Sequence, residues 1–80
     1  MPRPEDSEHT KLVWRTISRK PIDTSLMTVL VMHGVVYLRG QVRAMRGHDI
    51  DIRSEMEMVA RILKQKPGIR DVVIDVTFRT

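Results

Sequence analysis

Eighty residues bound the chain to one domain, and a domain of that size hides only about 60% of its unfolded surface, so its margin of stability is thin. The absence of cysteine excludes disulfide staples and thiol chemistry, and no apolar run approaches the roughly 18 residues of a membrane-spanning helix. Fourteen Lys and Arg against ten Asp and Glu give a net charge of +4, which is spread along the chain and fits an ordinary mixed surface better than a dedicated polyanion track.

The chain opens MPRPEDSEHT, without the apolar core of a secretory signal. A cytoplasmic home is the expectation if the chain is complete, and a periplasmic or envelope one only if a signal peptide precedes it. Residues 1–6, with Pro2 and Pro4, read as a flexible N-terminal tail ahead of a single domain over 7–80. From Asp6 or Ser7 to Arg19 the preferred element is a short helix. Asp6 and Ser7 suit an N-cap, Glu8 suits a first turn, and Val13 and Ile17 stand four apart. The alternation Leu12, Trp14, Thr16 keeps a strand open for the same segment. Lys20-Pro21 ends it, since a residue before proline avoids helical angles, and Asp23 to Ser25 read as a turn.

Leu26 to Val42, LMTVLVMHGVVYLRGQV, reads as two strands folded back at His33-Gly34. A two-residue loop needs positive φ, which glycine supplies and His tolerates. That loop sets Met32 opposite Val35, Leu30 opposite Tyr37 and Thr28 opposite Arg39. One face then holds Met27, Val29, Val31, Val36, Leu38 and Val42, with Gly40 among them, where a missing side chain is expected to admit a helix. The other face holds Thr28, Leu30, Met32, Val35, Tyr37, Arg39, Gln41 and Arg43.

A second helix is expected from about Asp49 to Gln65. Ile52, Met56, Val59 and Leu63 fall on one stripe, and Arg53, Glu57, Arg61 and Lys64 on the other. Asp49, Asp51 and Ser54 are its candidate caps, and Pro67-Gly68 stops it. From Ile69 to Arg79 the chain alternates. Val72, Ile74, Val76 and Phe78 point to the core side, against Asp71, Val73, Asp75, Thr77 and Arg79. The economical packing is an α+β fold in the order α-β-β-α-β, a small three-stranded mixed sheet with both helices on one face. On sequence grounds the third strand pairs with either hairpin strand.

Gly34-Val35-Val36, Leu38, Gly40 and Val42, followed by a helix and then Gly68-Ile69-Arg70-Asp71-Val72, resemble the BON domain family. That family has a GVV-x-L-x-G-x-V strand, a helix and a GV-x-x-V closing strand. The match spans about Ile22 to Phe78. The resemblance implies an αββαβ fold and a non-catalytic binding module, associated in that family with phospholipids and with envelope proteins, often in tandem copies. Over these 80 residues the chain departs from the pattern in showing one copy and no signal peptide, in a short first helix rich in β-branched residues, and in a second helix rich in Met and charge.

Several constellations weigh on function. His48-Asp49-Ile50-Asp51 offers metal-ligand types, but no His pair stands at helical spacing and the helix dipole alone favours carboxylates there, so no metal and no cofactor is expected. Arg43 and Arg46 lie beside a helix start that suits an anion, while Asp49 and Asp51 oppose one. One Tyr, one Phe and one Trp make a poor stacking platform, which disfavours nucleic acid. Met27 and Met56 are expected to fill core gaps, with Met32, Met45 and Met58 exposed. Nothing marks an enzyme, since there is no thiol and no serine in a strained glycine elbow.

Leu30, Met32, Val35, Tyr37 and Val73 all point away from the expected core and make the candidate interaction face, for an unknown protein partner or a homo-oligomer. The competing expectation is that the first segment or the tail covers them, or that they are merely exposed. The alternative function is anionic ligand binding, by a lipid surface or nucleic acid, through Arg39, Arg43 and Arg46.

Overall fold

The computed structural model describes residues 4–79, with side-chain surroundings from Ser7 onward. The elements are α1 (Pro4–Ile17), β1 (Ile22–Met32), β2 (Val35–Ala44), α2 (Ile52–Lys64) and β3 (Asp71–Arg79). The fold is therefore α+β, with two helices and a three-stranded mixed sheet in the order α-β-β-α-β.

The hairpin has the expected register. His33 and Gly34 take φ values of 52° and 81°, so both turn residues are left-handed, as a twist-matched two-residue loop demands. Met27 faces Gly40, Val29 faces Leu38, Leu30 faces Tyr37 and Met32 faces Val35. The expected turn at Asp23 to Ser25 is instead a bulge within β1. Asp23 pairs with Arg43 and Leu26 with Gln41, so Thr24 and Ser25 together oppose Val42.

Gly40 makes room for the neighbouring strand and not for a helix. Its φ is +106°, and a Cβ there would run into the backbone carbonyl of Leu26. The close neighbour is β1, at the backbone of Leu26 and Met27.

The open question of sheet order resolves as β1-β2-β3, with β3 parallel to β2. A parallel neighbour needs a crossover, and α2 supplies it. Val36 pairs with Val72, Leu38 with Ile74, Gly40 with Val76 and Val42 with Phe78. The core-side residues of both strands thus share rows.

Residues 7–17 are helical, which resolves the choice between helix and strand, and the helix ends at Ile17, with Ser18 and Arg19 in a turn ahead of the expected stop at Lys20-Pro21. Val13 and Ile17 are fully buried and Leu12 packs beside them, so the spacing of four outweighed the alternation through Trp14. The helix starts at Pro4, a favoured first-turn residue because its missing N–H is not needed there. Residues 4–6 of the expected tail therefore belong to α1, and residues 1–3 of that expectation lie outside the described residues. His9 fastens α1 to the far end of the molecule: its Nε2 donates to the Pro67 carbonyl over 3.1 Å. The same corner is held by the Arg70 N–H, which donates to the Gly34 carbonyl at 2.8 Å.

Asp51 is the cap of α2, accepting the Ser54 N–H at 3.3 Å. The stripe Met56, Val59, Ala60 and Leu63 is buried against Met27, Val31, Val36, Leu38, Val42 and Val72. Both helices therefore cover one face of the sheet. Met27 and Met56 are buried, while Met32, Met45 and Met58 are exposed. Val29, Ile74, Val76 and Phe78, expected on the core side, pack against the core but are only partly buried, Phe78 at its edge. The Arg53 guanidinium covers the Phe78 ring at 4.5 Å.

Gly40→Ala is expected to cost about 3 kcal/mol in urea unfolding, combining left-handed strain with a backbone clash. Gly47 has φ +87° but open space around it, so Gly47→Ala is expected to cost only about 1 kcal/mol. Equal costs for the two would dismiss the clash with Leu26.

Candidate interaction face

Because both helices sit on one side, nothing in the described structure covers the other side of the sheet. Strand register sorts that bare side into rows across β1, β2 and β3. They run Met32–Val35–Asp71, Leu30–Tyr37–Val73, Thr28–Arg39–Asp75 and Leu26–Gln41–Thr77. The first two rows, beside the hairpin turn, are apolar except for Asp71. The later rows are polar except for Leu26.

All five residues of the expected face lie together on it. Leu30 is 42% exposed, Met32 39% and Val73 38%. Val35 and Tyr37, flanked on both sides by neighbouring strands, are half-buried. α1 does not fold over them, since its Val13 and Ile17 face the core side. Leu26, at 66% exposure, is a member of the same face that sequence reasoning missed. Its signal was present, because Leu26, Thr28 and Leu30 alternate, but the expected turn at Asp23 to Ser25 placed it at a strand end.

Charges rim the apolar rows in pairs. Arg39 lies 4.0 Å from Asp75 and 5.6 Å from the centre of the Tyr37 ring. Arg79 donates to the Gln41 side-chain oxygen at 2.8 Å, and Lys64 stands 3.4 Å from Asp71. Such exposed pairs contribute little to stability, but they fix where charge sits.

The bulge carries its own clamp. One Asp23 oxygen accepts the Ser25 N–H at 3.0 Å, and the other accepts Arg43 Nε at 2.9 Å. Hydrogen bonds from the Ser25 backbone and hydroxyl, then from Arg43, pull the Asp23 pKa down to about 2, with desolvation opposing them and the Arg43 charge adding the least.

A separate cleft opens where β2 and β3 end and α2 begins. It is a cleft of about 930 Å³ lined by Arg43, Arg46, Arg53, Arg79, Asp23, Asp49 and Asp51, with Ile52 and Phe78 among its apolar walls. Of the expected anion contacts it gathers Arg43 and Arg46. Arg39 is not among its lining residues and points onto the sheet face beside Asp75. Arg53 and Arg79 are the residues that sequence reasoning missed. Arg79 reaches the cleft because it pairs with Arg43 across the β2–β3 ladder, a long-range fact with no local trace.

Among the described residues no three His, Asp or Glu side chains converge as a metal site. No helix among them is long and apolar enough to cross a membrane. Compared with known proteins, the chain matches no family model, no curated protein and no solved structure.

The Asp23 clamp has a readable pH signature. Its folded pKa of about 2 lies below the ordinary 3.8, so the stability it lends is complete above pH 3.8 and is lost as pH falls through about 2. Carboxyl chemical shifts are expected to place the Asp23 midpoint near 2 and, in Arg43→Ala, only part of the way back to 3.8. The reason is that the Ser25 bonds come first among the causes. A full return on loss of Arg43 would reverse that ranking.

Proposed function

We propose that the domain is a non-catalytic, BON-like interaction module that works through the bare face of its sheet. The family part of this reading is carried by Gly34-Val35-Val36, Leu38, Gly40, Val42 and the Gly68 to Val72 closing segment. The functional part is carried by one observation: two adjoining rows, Met32–Val35 and Leu30–Tyr37–Val73, are apolar on the side that no helix covers. A solvent-facing sheet side ordinarily reads polar at alternate positions, and an apolar centre with a charged rim is the anatomy of a recognition surface. Arg39, Asp75 and Arg79 supply that rim.

An anionic ligand, a phospholipid headgroup or a nucleic acid phosphate, is the second reading. It is favoured by the four arginines around the cleft. It is weakened by Asp23, Asp49 and Asp51 on the same walls, and by the engagement of Arg43 with Asp23. It would need Arg46 and Arg53 as its main contacts.

An amide shift map separates the two. The labelled domain is titrated in turn with its own rising concentration, with phosphatidylglycerol vesicles and with an oligonucleotide. The expected result is a response at Leu30, Met32, Val35, Tyr37 and Val73, abolished in Leu30→Lys/Tyr37→Lys with the fold retained by circular dichroism. A face silent in every titration sinks the module reading. Shifts confined to Arg46 and Arg53, with affinity falling steeply as salt rises, would put the cleft in its place.

A further inference from the structure

We propose that the outer edge of β3, with the groove between it and α2, takes an extended peptide segment as a fourth strand, one that turns apolar and acidic side chains toward α2. This surface is separate from the bare face, and neither reading depends on the other.

Backbone geometry makes the edge. β3 pairs with β2 on one side, and among the described residues no strand lies on its other side. The hairpin register says which groups are left over. A two-residue turn makes Met32 and Val35 a hydrogen-bonded pair. Val35 and Tyr37 therefore turn N–H and C=O toward β1, and Val36 and Leu38 turn theirs toward β3. β3 answers through Asp71, Val73, Asp75 and Thr77, which leaves the N–H and C=O of Val72, Ile74, Val76 and Phe78 facing outward. In keeping with this, the Val72 N–H donates to the Asp71 carboxylate at 2.8 Å. Beyond it runs an open row of the kind that pairs with an extended chain. The other edge strand, β1, is interrupted by its bulge. β3 keeps an unbroken register from Asp71 to Arg79 and holds no proline.

The helix layer stops short of this edge. Ile74, Val76 and Phe78 are on the core side yet only half-buried. A groove of about 460 Å³ runs beside them, lined by Glu57, Ala60, Arg61 and Lys64 of α2 and by Val72 and Ile74 of β3. An apolar side chain from an added strand would lie over Ala60 and Ile74 and complete their burial.

Charge selects the occupant, and it does so by side. The flank of α2 above the edge carries Arg53, Arg61 and Lys64 against Glu57. Lys64 is engaged with Asp71 and Arg53 with the Phe78 ring. Arg61 is exposed and has no partner among the described residues. A carboxylate on the helix-facing side of an added strand meets that cation. The opposite side of β3 carries Asp71 and Asp75 against Arg79, so acid placed there is repelled.

A suitable probe is the capped peptide acetyl-Thr-Glu-Thr-Val-Thr-Val-Thr-Glu-Thr-amide. Its sequence reads alike from either end, so it offers both Val and both Glu on one side whichever way the strand runs. The labelled domain is titrated with it to about 1 mM. The expected result is shifts at Ile74 and Val76, with exchange of their amide hydrogens slowed about tenfold or more. Replacing both Glu by Gln in the peptide, or Arg61→Ala in the domain, is expected to weaken binding about threefold, the scale of an exposed ion pair. The Gln change is expected to matter less in Arg61→Ala than in the wild type. Val76→Pro removes an outward N–H and leaves the β2–β3 ladder its bonds, so it is expected to abolish binding with an unchanged circular dichroism spectrum. Should that variant not fold, the exchange of Ile74 and Val76 in the wild type still decides. No response at the top concentration, or a response confined to the Leu30–Tyr37–Val73 row, overturns the proposal. So does undiminished binding by a folded Val76→Pro. The same β3 amides shifting as the domain alone is concentrated would give the edge to a second copy and overturn the acidic segment as its occupant.

Discussion

β2 is the strand on which every other element depends. Among the described strands it alone has a neighbour on each side, antiparallel β1 and parallel β3. Its Val36, Leu38 and Val42 are buried beneath the helices. Side chains alternate across a strand, so fixing those three inward forces Val35, Tyr37 and Arg39 outward. The core and the candidate site are thus two readings of one alternation. A slip of β2 by one residue would exchange them, burying Arg39 and exposing Leu38.

The ends of the sheet are held by different chemistry. At the hairpin end, backbone carbonyls are the acceptors: the Arg70 N–H meets that of Gly34, and the His9 ring of α1 reaches that of Pro67. At the other end, Asp23 gathers the Ser25 N–H and Arg43 around the bulge. The apolar rows lie beside the first corner and the charged cleft beside the second. This polarity along the strands gives an 80-residue domain two chemically distinct surfaces.

The helices divide the work of covering the core unequally. α2 contributes the continuous stripe Met56, Val59, Ala60 and Leu63, while α1 contributes chiefly Val13 and Ile17. A helix of such modest apolar content is marginal alone and is held by packing, which is why its sequence also suited a strand. Neither helix crosses to the far side, so among the described residues nothing covers the row of Leu30, Tyr37 and Val73.

The local elements were legible because local chemistry specifies them. Positive φ at His33-Gly34 set the hairpin register, the apolar stripe marked α2, and alternation from Val72 to Phe78 marked β3 with its inward side. The same alternation identified Leu30, Met32, Val35, Tyr37 and Val73 as one outward set. Tertiary structure alone decided that β3 lies parallel beside β2, that Asp23 to Ser25 form a bulge, that Gly40 answers to Leu26, and that Arg53 and Arg79 join Arg43 and Arg46. Each of these depends on backbones or side chains brought together from distant parts of the chain. A periodic pattern records which way a residue faces, and not what the fold sets against it.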